Sequence, residues 1–334
     1  MSDRLLCSLR EKSQNGWDAA IEGYRDSWRA SEKTSISVIS SSSMPQAIKY
    51  SRLGTNRGKL LVNHGGPGGR VNEIWRYFVN ADHGDLLLPA QSQIDSDDDF
   101  VVDTDTILTN TETLQRTCFG EPAVIAGSSW GGTVSLAYAT KYPHAAAALV
   151  ISCPLIPTEK SLDFMVSSEG GFSGNLRLRE MFIDPIRHEP HATARQIFSA
   201  YHSVLDRAAP DSYVIRAFSA LLYASSGDFS TGLYESDIPI DGMTRRHATM
   251  LAYFAMQPRP FFIDIGQVYR GLQELRRQKC SVFIVRSTDD RSSHPDDMQK
   301  IIDLSGARAV WAVGGHSSKS SKAAVARILR DLKI

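Results

Sequence analysis

The stretch Ala126-Gly127-Ser128-Ser129-Trp130-Gly131-Gly132-Thr133 sets a serine inside the pattern G-x-S-x-G directly after a short apolar run. Ala123 to Ala126 has the length and composition of a buried strand, and Val134 to Pro143 reads as a helix stopped by its proline. Strand, sharp turn and helix are the context in which this pattern presents a nucleophile. G-x-S-x-G alone recurs by chance, so the flanking elements carry the reading. Glycines at 127 and 131 leave room for a strained turn and a close strand–helix approach, and Ser129 is thereby nominated as the nucleophile.

A serine hydroxyl is a weak nucleophile that needs a base, an acid to orient that base, and donors for the developing oxyanion. Working outward from Ser129, each is available just past an apolar run. Ser281 to Arg286 reads as a strand and is followed by Ser287-Thr288-Asp289-Asp290. Asp290 is the preferred acid by its offset from the strand end, and Asp289 stands in reserve; adjacent aspartates beside Ser and Arg also suit a solvated turn. Ala309 to Val313 then leads into Gly314-Gly315-His316, which makes His316 the preferred base over eight other histidines. The order Ser, Asp, His, each in a loop after a strand, is the order used on an α/β-hydrolase scaffold. For the oxyanion, the backbone N–H of Trp130 is the natural first donor. The second is assigned to Gly66, in the glycine-rich His64-Gly65-Gly66-Pro67-Gly68-Gly69 after the buried run Leu60 to Asn63.

Composition narrows the remaining possibilities. Lys plus Arg equals Asp plus Glu at 37 each, so no net field attracts nucleic acid or an anionic membrane. Cys7, Cys118, Cys153 and Cys280 lack metal-ligand spacing and disulfide-scaffold density, and with no signal-peptide pattern at the N-terminus this points to a cytoplasmic location. Neither a phosphate-binding G-x-x-x-x-G-K-[ST] nor a dinucleotide fingerprint is present, and Asp95 to Asp99 lacks the spacing of a calcium loop. No cofactor and no metal are expected. A small-molecule substrate is the one expected partner, and the oligomeric state is left open.

The order of elements predicts an α/β fold with a mostly parallel central sheet. Ser35 to Ser41 and Gln46 to Leu53 suggest an opening hairpin. Further buried runs at Asp85 to Leu88 and Ala146 to Ser152 alternate with helical stretches such as Asp105 to Cys118 and Lys319 to Leu332. Residues 1–33 carry Trp17, Ile21, Tyr24 and Trp28 at helical spacing, as a leading helical extension. The hydrolase core is then assigned to 34–153 and 268–334. Residues 154–267, with helix-like segments at Thr193 to Leu205, Ser212 to Tyr223 and Arg245 to Met256, are assigned to a helical cap over the strand ends.

With HGGPG at 64–68, GSSWGGT at 127–133 and GHS at 315–317, the chain resembles the proline iminopeptidase family of α/β-hydrolases. The resemblance implies Ser129, Asp290 and His316 as a triad, with Trp130 and Gly66 as oxyanion donors. It also exposes departures. Where that family carries a DQRG-type loop, this chain reads Leu88-Pro89-Ala90-Gln91-Ser92-Gln93. Where the family's aminopeptidases hold the substrate ammonium with cap glutamates, this chain places Leu222 and Met250. The family's glycine-arginine-aromatic approach to the acid is Ser287-Thr288-Asp289 here. A buried ammonium with no carboxylate costs several kcal/mol, so free-amine peptides are expected to be poor substrates. Phe218, Leu222, Met250, Tyr253 and Phe254 are the candidate substrate wall, although aromatic residues of this kind also pack a cap's own core.

The expected activity is therefore cleavage of an amide or ester of a small, largely apolar or aromatic molecule through an acyl-enzyme. Two alternatives stand beside it: a biosynthetic tailoring enzyme on the same scaffold, catalysing addition, cyclisation or acyl transfer, and a true proline iminopeptidase.

Overall fold

A computed structural model describes residues 37–39, 48–53, 58–66, 85–89, 91, 103–167, 169–170, 193–205, 250–316 and 318–334. The leading helix at 1–33, the segment Ser212 to Tyr223 with Phe218 and Leu222, and the acidic run Asp95 to Asp99 lie outside these residues.

The strands are β1 (Ser37–Ile39), β2 (Ile48–Leu53), β3 (Lys59–Asn63), β4 (Asp85–Pro89), β5 (Ala123–Ser128), β6 (Ala146–Ser152), β7 (Ser281–Ser287) and β8 (Arg308–Ala312). They form one eight-stranded sheet in the order β1-β2-β4-β3-β5-β6-β7-β8. β1 pairs antiparallel with β2, as the expected hairpin, and β2 pairs antiparallel with β4; every other pairing is parallel. The helices are α1 (Thr104–Cys118), α2 (Trp130–Lys141), α3 (Glu159–Met165), α4 (Ala194–Leu205), α5 (Ile265–Arg277), α6 (Pro295–Ser305) and α7 (Lys319–Asp331), and residues 250–256 are also helical.

A parallel sheet must be covered on both faces, which is why its strands read as continuous apolar runs. Successive residues of one strand supply opposite cores. Leu61 and Ile125 face one cluster, together with Leu114 of α1, Val134 of α2 and Leu272 of α5. Leu60, Val62 and Val124 face the other, with Val325, Ile328 and Leu329 of α7. Among the described residues no helix is long and apolar enough to cross a membrane.

Register decides where chemistry is placed. Asn63 pairs with Gly127, Ser128 with Ser152, Ser152 with Val285, and Ser287 with Ala312. The residues that follow these partners, His64, Ser129, Cys153, Thr288 and Val313, therefore leave the sheet along one edge, at the carboxyl ends of the strands where ligands bind in sheets of this kind.

Candidate active site

Ser129 stands between β5 and α2 with φ 56° and ψ −130°. That left-handed conformation costs about 1–3 kcal/mol for a residue bearing a Cβ, and it persists only where the surroundings enforce it. Here they do. The Ser129 N–H donates to the Ser152 carbonyl at 2.9 Å, and its carbonyl accepts from the Thr133 N–H at 3.1 Å. A Cβ on Gly127 would stand 2.1 Å from the Gly131 carbonyl oxygen, and one on Gly131 would stand 2.1 Å from that of Asn63. Only glycine lets strand, helix and the exit of β3 approach this closely. α2 starts at Trp130, earlier than the sequence pattern indicates, so the Trp130 N–H sits in a first turn where the helix offers no internal acceptor.

The acid and histidine loops are stitched together beyond the ends of β7 and β8. The Thr288 N–H donates to Ala312 O and the Asp289 N–H to Gly314 O, each at 3.0 Å, while the Gly314 N–H donates to the Thr288 hydroxyl at 3.1 Å. Past this clasp, Ser318 caps α7 by accepting from the Ser321 N–H, and its own N–H reaches Gly315 O at 3.2 Å. His316 is held between the clasp and the cap. Its Nδ1 lies 2.9 Å from Asp290 Oδ2, with the two side chains 11% and 9% exposed. The second Asp290 oxygen accepts from the Ser292 N–H at 2.9 Å. Burial pushes the Asp290 carboxyl up, but the charge and hydrogen bond of His316, with the Ser292 N–H, outweigh it and hold the carboxyl below its ordinary value. Of the two candidate acids, Asp290 is the one that meets the imidazole; Asp289 is exposed.

Gly66 follows β3 by three residues with φ 55°, a conformation natural to glycine, and its loop is the one pressed against the elbow through Asn63, His64 and Gly131. The Trp130 side chain is buried. Its indole N–H donates to Gln91 Oε1 at 2.7 Å, and its ring lies 5.1 Å from Phe254 and 5.3 Å from Phe261, centroid to centroid. Phe254 is thus packed on the elbow's own tryptophan, Tyr253 is half-buried at its flank 5.8 Å away, and Met250 is buried in the same cluster.

By sequence Cys153 is one of four scattered cysteines with no assigned role at the site. It is the residue immediately after β6, at the same level as the other loop residues, and that position is the signal that could have found it. Its φ is 45°, its N–H extends the β6–β7 ladder by donating to Val285 O at 3.0 Å, and its thiol donates to the Ser287 hydroxyl at 3.3 Å. Ligand atoms of Cys153, Asp290 and His316 lie within 4.8 Å of one another. The chemistry of this group does not suit a metal. Burial and the neighbouring Asp290 charge push the thiol well above its ordinary value, and a metal ligand must be the thiolate. His316 already spends Nδ1 on Asp290. Cys153 therefore packs as a neutral thiol beneath the acid–histidine pair.

Comparison with known proteins agrees with this architecture. Residues 83–235 match the family model described as serine aminopeptidase, S33, a stretch that includes the elbow but not Gly66, Asp290 or His316. No curated protein sequence matches the chain. Among solved structures, a haloalkane dehalogenase loop variant from Bradyrhizobium elkanii is similar with a TM-score of 0.60 at 15% identity, covering 89% of this chain and 96% of that one. A hydrolase from Oleispira antarctica has a TM-score of 0.55 at 14% identity over 85% and 93% of the two chains. The 2-hydroxy-6-oxo-6-phenylhexa-2,4-dienoate hydrolase from Rhodococcus sp. strain RHA1 has a TM-score of 0.50 at 16% identity over 89% and 99%. The parallel sheet, the strand–serine–helix elbow between β5 and α2 and these likenesses together establish that the chain has the α/β-hydrolase fold.

Proposed function

We propose that the protein is a serine hydrolase that cleaves an ester or amide of a small, largely apolar or aromatic molecule through an acyl-enzyme. The observation that carries this reading is the hydrogen-bonded Asp290–His316 pair, set on the same sheet edge as the strained Ser129 elbow. With Nδ1 held by Asp290, the Nε2 of His316 is the atom that takes the proton of Ser129 Oγ as that oxygen attacks the acyl carbon. The Trp130 and Gly66 N–H groups receive the oxyanion; His316 then returns its proton to the leaving group, and water repeats the sequence to release the acid. Asp290 stays ionised throughout, in keeping with its depressed acidity range.

Specificity away from free amines rests on Met250. Resemblance to the proline iminopeptidases aligns it with an ammonium-binding glutamate, and it is a buried methionine in the same apolar cluster as Phe254, Phe261 and Trp130. An ammonium placed there would lose its hydration, and the methionine side chain offers no charge to replace it. Steady-state assays on p-nitrophenyl butyrate and on prolyl-p-nitroanilide with a free amine test the proposal. Ser129-dependent turnover of the neutral ester with poor release of proline is expected; efficient release of N-terminal proline would contradict it.

A further inference from the structure

We infer that Gln91 is a positioning residue that aims the oxyanion donors, by tying the loop of Gly66 to the elbow of Trp130; this rests on the serine-hydrolase reading above. Gln91 is the one described residue between β4 and α1 that precedes Asp103, and it is 5% exposed. Its carboxamide makes one bond with each end. Nε2 donates to the His64 carbonyl at 3.0 Å and Oε1 accepts from the Trp130 indole N–H at 2.7 Å. Its backbone N–H also points at His64 Nε2, 3.4 Å away. One side chain thus bridges the two segments that each supply a donor.

The bond to His64 Nε2 has a consequence for the ring. A nitrogen that accepts carries no proton, so the proton resides on Nδ1, which then donates to Gly65 O at 3.0 Å. The carbonyl of Gly65 and the N–H of Gly66 belong to one planar trans peptide and point in opposite directions. Pinning that carbonyl to the imidazole therefore fixes where the Gly66 N–H points. The whole chain of contacts requires a neutral His64, and burial holds this ring from its ordinary 6.5 down to about 4. Gln91 is also where the sequence departs from the DQRG-type loop, so this chain meets the need for an anchor between the two loops with a carboxamide.

The test is kinetic and uses the full chain, with turnover normalised to sites titrated by a fluorophosphonate so that only competent molecules count. Gln91→Met keeps the volume and removes both side-chain bonds. Displaced donors reduce catalysis without weakening binding of the acyl group, so kcat on p-nitrophenyl butyrate should fall about tenfold or more while KM stays within about twofold. The preference for an oxo ester over the matching thiono ester should narrow by a similar factor, because sulfur is the poorer acceptor and that preference reports on donor placement. Gln91→Glu retains the acceptor for Trp130 but has no N–H for the His64 carbonyl, and should show the same loss if Gln91→Met gives no folded protein. Unchanged kcat and oxo preference in the folded variant, or a rise in KM alone, would overturn the inference while leaving the serine-hydrolase reading intact. Wild-type turnover that survives Ser129→Ala would instead sink that reading and the inference with it.

Discussion

The carbonyl oxygen of Asn63 occupies the place where Gly131 would carry a side chain: a Cβ there would lie 2.1 Å from it. The end of β3 and the first turn of α2 are in backbone contact, and this contact sets the gap between the Gly66 loop and the Trp130 N–H. Gly131→Ala should therefore cost about 2 kcal/mol or more, because the atom it meets is backbone and cannot swing aside. Urea denaturation measures that loss, and kcat per titrated site should fall along with it. A variant as stable and as active as wild type would show that the two segments do not need this approach.

Asp290→Asn preserves shape but cannot hold the His316 imidazole in the tautomer that leaves Nε2 free to accept. A kcat loss of about 10⁴-fold is expected by the logic of a Ser-His-Asp triad. Asp289→Asn, at an exposed position whose described contact is made by the backbone, should stay close to wild type. The opposite pattern in the two variants would move the acid to Asp289.

His64 should make folding stability depend on pH in a defined window. Its folded value is depressed to about 4 from the ordinary 6.5, so between these limits the unfolded chain takes up a proton that the folded ring refuses. Stability is therefore greatest above pH 6.5 and declines as the pH falls toward 4, by about 3 kcal/mol in all. Asp290, a depressed carboxylate, loses its contribution only as pH falls below its ordinary 3.8, outside that window. Denaturant midpoints at pH 7.5 and 4.5 check this, with His64→Gln as the comparison. The variant should be less sensitive to acid over this interval, and an equal slope in both proteins would contradict the assignment.

Cys153 should be inert toward thiol reagents in the folded protein. It is buried with its proton directed at Ser287, whereas Cys118 and Cys280 are half-buried free thiols. Timed alkylation followed by peptide mass spectrometry should find Cys153 modified only when denaturant is added; native-state labelling of Cys153 would show an opening between β6 and the acid loop.

Much of this was legible in the chain because buried parallel strands and a glycine-bounded turn leave local marks. Ala146 to Ser152 and the strand before Ser129 could be read from their apolar runs, and the loop positions of Asp290 and His316 followed from strand ends alone. The helices α3, α5 and α6 stand outside the segments expected from the sequence: α6 opens with Pro295, Asp296 and Asp297, residue types that also suit a turn, and its apolar stripe is complete only once Met298 and Ile301 meet the core. Cys153 and Gln91 were hidden for another reason. Their roles depend on register between strands distant in sequence, β6 against β7 and β4 against β3, and no single stretch records that. By sequence Gln91 marks only the absence of a charged loop, whereas in the fold its carboxamide spans His64 and Trp130.

Labelling with a fluorophosphonate and mapping the adduct by mass spectrometry addresses the nucleophile itself. A single adduct on Ser129, formed at a rate that falls steeply in His316→Ala and accompanied by loss of ester turnover in Ser129→Ala, is the expected result. An adduct on another residue, or ester turnover undiminished in Ser129→Ala, would contradict the assignment of Ser129 as the nucleophile.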